Sequence, residues 1–80
     1  MKGKVALLNI KRGMAALITE SEDFTTFELH GNEVEIGDII SGDLESLGGA
    51  TWYNETKMEN IDVFVEDILG SKATALKIIS

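Results

Sequence analysis

The apolar positions of this chain fall into short runs broken by glycines and acidic clusters, a rhythm that predicts strands rather than long helices. Val5, Ala6, Leu7, Leu8 and Ile10 make a first β-compatible run, stopped by Lys11-Arg12-Gly13. Met14 to Thr19 make a second, and Glu20-Ser21-Glu22-Asp23 reads as the turn after it. Phe24-Thr25-Thr26-Phe27-Glu28-Leu29, rich in aromatic and β-branched residues, is a third, ended by Gly31-Asn32. Val34, Ile36, Ile39, Ile40 and Leu44 belong to a fourth region, in which Gly37 and Gly42 mark a turn and a bend or bulge. Gly48-Gly49 turns the chain again before a short added strand at Thr51-Trp52-Tyr53. The cleanest period-two signal follows, where Ile61, Val63 and Val65 alternate with Asp62, Phe64 and Glu66.

The tail supports two readings. Ser71 can cap a short helix that carries Ala75, Leu76 and Ile79 on one face, whereas alternation of Thr74, Leu76 and Ile78 would make it a strand. Ala73, Ala75, Leu76 and Lys77 are good helix formers and favour the helix. Many short strands with glycine turns and little helix predict an all-β protein, a small barrel or sandwich, in one domain spanning residues 1–80.

Composition narrows the chemistry. The chain has 80 residues, 44% hydrophobic and 26% charged, which is ordinary for a folded domain. It has no Cys, which removes disulfides, thiolate metal sites and thiol nucleophiles together. The net charge is −7, unevenly spread: residues 1–12 hold Lys2, Lys4, Lys11 and Arg12 and no acid, while all 14 acids lie beyond them. An acidic body works against coating a nucleic acid. No apolar run approaches the ~20 residues of a membrane span. Met-Lys-Gly-Lys-Val opens on no long apolar stretch, so no secretory signal is read and the expected location is cytoplasmic.

Residues 2–29 carry a resemblance. Lys2-Gly3-Lys4-Val5, then Asn9, then Arg12-Gly13 opening an apolar strand, an acidic turn, and a strand around Phe27 resemble the first three strands of the cold-shock domain. Val34-Glu35-Ile36-Gly37-Asp38 is similar to that family's loop into its fourth strand. The resemblance covers about the first 45 residues, and either 61–67 or 74–79 would be the fifth strand. It implies a five-stranded oligonucleotide-binding (OB) barrel, with a short C-terminal helix if the tail is helical.

The same alignment implies a degenerate binding face. Where the family stacks bases on aromatic residues, this chain has Leu7, Met14 and Ala16, and it keeps Phe27, with Leu29 or His30 at the family's histidine position. Base–aromatic stacking is worth about 1–3 kcal/mol per base, and a micromolar complex has only about 8 kcal/mol in all. Losing three such platforms disfavours chaperoning of single strands. An outer face of Leu7, Met14, Ala16, Phe27 and Leu29 is apolar without being aromatic. The expectation is that it is buried, under residues 68–79 or against another protein chain.

No motif marks an enzyme: there is no nucleophile elbow, phosphate-cradling loop or dinucleotide fingerprint. With one His and no Cys, no metal or cofactor is expected. Two non-enzymatic functions remain. One is an interaction module making protein or intramolecular contacts, self-association included. The alternative is weak, salt-sensitive single-strand binding through Lys4, Arg12, Phe27 and His30, with Lys2, Lys11, Phe24, Trp52 and Tyr53 as secondary candidates. Trp52-Tyr53 reads either as a stacking or partner-binding pair or as a cap on the barrel's open end.

Overall fold

The computed structural model describes all residues, Met1–Ser80. Strand β1 (Lys2–Asn9) leads through a 3-10 turn (Ile10–Arg12) into β2 (Met14–Thr19) and β3 (Phe24–Leu29). Then come β4 (Ile39–Ser41), β5 (Gly48–Asn54), β6 (Glu59–Gly70) and helix α1 (Lys72–Ile79). The strands close a barrel in the order β1-β2-β3-β6-β5-β4, with β4 returning to β1.

The small all-β barrel with a short C-terminal helix is therefore the architecture, with six strands where the family resemblance implies five. The 34–44 region and the run around Trp52 are two separate strands, as the glycine-broken pattern has them, and they pair with each other, Ile40 opposite Asn54 and Ser41 opposite Tyr53. An even count has a geometric consequence. Every neighbour can be antiparallel, as all six pairings are, whereas an odd ring needs at least one parallel seam.

The 61–67 alternation belongs to the twelve-residue β6, and the tail is helical. Ser71 is its N-cap: the backbone is extended there and its Oγ accepts from the Thr74 amide at 3.2 Å. With β6 already paired on both sides, a further strand would find no edge to join there.

Phe27 and Trp52 fill the barrel, ring edge against face at 5.0 Å, among Val5, Leu17, Ile40, Leu44, Ile61, Val63 and Val65. Trp52 is thus neither a stacking residue nor a cap at the open end; it is interior, and its indole N–H donates to the Asp43 carbonyl at 3.0 Å. Gly42 makes room for it. Its φ is +145°, and a Cβ there would sit 2.8 Å from the indole Cδ1. Tyr53, next in the strand, points out to solvent.

In β1 the register shifts between Val5 and Leu7. Before the bulge Val5 faces inward; after it Leu8 packs on the core while Leu7 pairs with Ala16 on the outer side.

Candidate functional site

The outer side of β1, β2 and β3 is where the sequence places a binding face, and the structure divides those residues. Core residues Ala15 and Leu17 fix the inward side of β2, so Met14 and Ala16 point outward. Both are nonetheless buried, as is Thr26 opposite Ala16. Helix α1 is the element packed over these strands, and its Ala75 and Ile79 are buried in turn. The expected cover over Leu7, Met14 and Ala16 is therefore intramolecular, and Leu7 is half-buried.

Phe27 and Leu29 do not belong to that face. Phe27 is fully interior, and Leu29 packs on the core from the end of β3. Period-two alternation explains the correction: Thr25, Phe27 and Leu29 share one side of β3, and that side faces the barrel axis. Phe24, of opposite parity, is half-buried beside Ile18 and Gly70. His30 is exposed just past the strand, its Nε2 2.9 Å from Glu28 Oε1 and its ring stacked on Phe64 at 6.5 Å.

The N-terminal cations are dispersed. Lys2 pairs with Glu55 at 3.1 Å. Arg12 turns to the end of α1, where its guanidinium donates to the carbonyls of Ile78, at 3.0 Å, and Ser80. Asn9 Nδ2 donates to the Ile79 carbonyl at 2.6 Å. Carbonyls at a helix C-terminus lack intrahelical partners and carry partial negative charge, so a cation and an amide there stabilise the end. Lys4 and Lys11 are exposed and make no ion pair.

A concave site lies elsewhere, at the end of the barrel where β1 and β3 stop. Leu8, Ile10, Leu29 and Val34 form the apolar wall of a cleft of about 290 Å³, and Asn32, Glu33, Glu35 and Lys57 rim it. Such a volume accepts one large side chain and lies near the lower end for small-molecule pockets. Ile10 is 80% exposed on its lip, and Ile36 and Met58, chain neighbours of Glu35 and Lys57, are also exposed.

A buried polar cluster holds the far wall in place. Asp38 is 4% exposed, and its Oδ2 accepts from the Glu35 amide and from Asn54 Nδ2, both at 2.9 Å. Asn54 Oδ1 accepts in turn from the amides of Thr56 and Lys57 at 3.1 Å. The loop before β4 and the turn between β5 and β6 are thereby bound as one body. Lys57 Nζ lies 3.1 Å from Glu35 Oε2 and 4.0 Å from Asp38 Oδ2. Its pKa rises above the ordinary 10.5, chiefly through the hydrogen bond to Glu35, against partial desolvation, with the charges of Glu35, Asp38 and Glu59 adding.

Sequence reasoning missed this cleft. Its signals were present: Val34 stands alone and apolar among Asn32, Glu33 and Glu35, and Asn54 precedes a turn it can cap. Neither announces that the ends of β1 and β3 will meet the 32–35 segment. No helix is long and apolar enough to cross a membrane. No family model, curated protein or solved structure matches the chain.

Proposed function

We propose that this chain is a non-enzymatic interaction module, a rigid barrel that keeps one outer face covered by its own helix and engages a protein partner at the cleft. The observation that carries the reading is the contrast between the two apolar surfaces. The one over Met14 and Ala16 already has an occupant, while the cleft walled by Leu8, Ile10, Leu29 and Val34 is open, with exposed Ile10 on its lip.

Single-strand binding, the alternative, has lost support. Phe27 is interior, Arg12 is engaged by the helix end, and the two unpaired cations of the N-terminal segment, Lys4 and Lys11, sit on a molecule of net charge −7. A titration followed by backbone amide shifts separates the two readings. A neutral extended pentapeptide, acetyl-Thr-Thr-Ile-Thr-Thr-amide, is expected to move the amides of Leu8, Glu33, Val34 and Glu35 saturably. A ten-nucleotide oligo-dT at low salt is expected to leave the spectrum unchanged. Saturable shifts at Lys4 and Lys11 with the oligonucleotide, and none at the cleft with the peptide, overturn the proposal.

A further inference from the structure

We infer that the occupant of the cleft is a short extended segment of a basic partner, laid along the unpaired end of β1 with one apolar side chain in the cleft. This rests on the proposal that the cleft is the docking site, and it adds the occupant's conformation and charge.

The conformation follows from where the barrel stops pairing. Lys2, Gly3 and Lys4 lie against β4, and Val5 exchanges backbone hydrogen bonds with Gly37 and Asp38 at 2.8 and 2.9 Å. Beyond the bulge, Leu7, Leu8 and Asn9 are paired with β2 alone. The edge that carries β4 farther back therefore ends in backbone without a strand partner, at the point where Leu8 and Ile10 form the cleft wall. An edge of this kind accepts an added strand: main-chain hydrogen bonds hold the segment while alternate side chains enter pockets. The opening of about 290 Å³ has room for one Ile, Leu or Met side chain.

The charge follows from the rim and from the whole molecule. Glu33 is exposed and makes no ion pair, and Glu35 is exposed with a single cation, Lys57, which Asp38 also attracts. Of the cations that follow Ile10 in the chain, Arg12 is turned away to the helix end and Lys11 does not line the cleft. The partner's positive residues thus belong on the side of residues 33–35. A second copy of this chain is a poor occupant, because it would bring another −7 to the encounter.

The test compares acetyl-Lys-Thr-Ile-Thr-Lys-amide with the neutral peptide above and with its Glu-flanked counterpart, by the same amide shifts. The Lys-flanked peptide is expected to bind about ten-fold more tightly than the Glu-flanked one at low salt, with the gap narrowing as salt rises. Glu33→Lys, a change at an exposed residue without a bonded partner, is expected to remove most of that gap. Ile10→Ser is expected to weaken all three peptides. Because a strand uses alternate amides towards one edge, N-methylation at one parity is expected to cost about ten-fold and at the other little.

If all three peptides bind equally, or both methylation parities behave alike, the inference fails while cleft docking stands. If none moves the cleft amides, docking itself fails. If instead the cleft amides shift with protein concentration alone and sedimentation reveals a dimer, the occupant is a second copy and the inference is overturned.

Discussion

Phe27 shows how much turns on the sign of an alternation. Chain position alone establishes that Phe27 and Leu29 share a side with each other and not with Phe24. Which side is the interior depends on the barrel's need for bulk, and the widest side chains meet there, Phe27 on Trp52. Phe27→Ala accordingly is expected to cost about 3–5 kcal/mol of stability, a large share of the ~4–12 kcal/mol expected for a chain this size. A base-stacking residue on the surface would cost little. Thr26, one position away, gives the opposite expectation: its Oγ1 is buried with no hydrogen-bond partner. Thr26→Val keeps the shape and removes the unsatisfied group, and is expected to be neutral or stabilising by up to about 1 kcal/mol. Urea unfolding of the two variants, followed by Trp52 fluorescence, checks both.

At the scale of elements, the strand runs were legible because glycines and acidic clusters break the apolar pattern cleanly. The register was not. The bulge at Ala6 reverses the sides of Leu7 and Leu8 relative to a straight strand, and no glycine marks it, since the bend expected from glycines lay at Gly37 and Gly42. The helical tail was legible from Ser71 and its helix formers, and residues 68–79 were already one of two expected covers for the outer face. Hidden from the sequence was its fastening: Asn9 and Arg12 bond a helix end about 70 residues away along the chain, with separations of 70 and 66 for Ile79 and Ile78. Arg12→Ala removes a charged donor from the exposed last carbonyls and is expected to cost about 1 kcal/mol of local stability. Amide exchange of residues 72–79 speeding several-fold, with the strand amides unchanged, is the expected signature. Equal acceleration throughout would mean that the helix and barrel open only together.

For the whole molecule, charge governs both company and pH response. Acids outnumber cations 14 to 7, and Lys57 sits where three of them converge. Because its folded pKa is raised, folding holds that proton more tightly than the unfolded chain does. The stability it brings is complete below the ordinary lysine range and fades as pH climbs through the raised value. The urea midpoint is expected to fall as pH climbs past the ordinary lysine value of 10.5, and Lys57→Met, which keeps the apolar stem, to flatten that fall. If the variant and the parent decline in parallel, Lys57 is not the source of the alkaline loss.

The fastening of the tail reaches further than the tail. Asn9 and Arg12 bracket Ile10, so the clasp on α1 is also the hinge pin of the cleft's lip. If a peptide seated against Ile10 tightens the grip on the last turn, linkage requires that unlatching that turn loosen the seat by the same free energy. Slower amide exchange in residues 72–79 once a peptide is bound would register that reciprocity from the opposite side of the β1 strand.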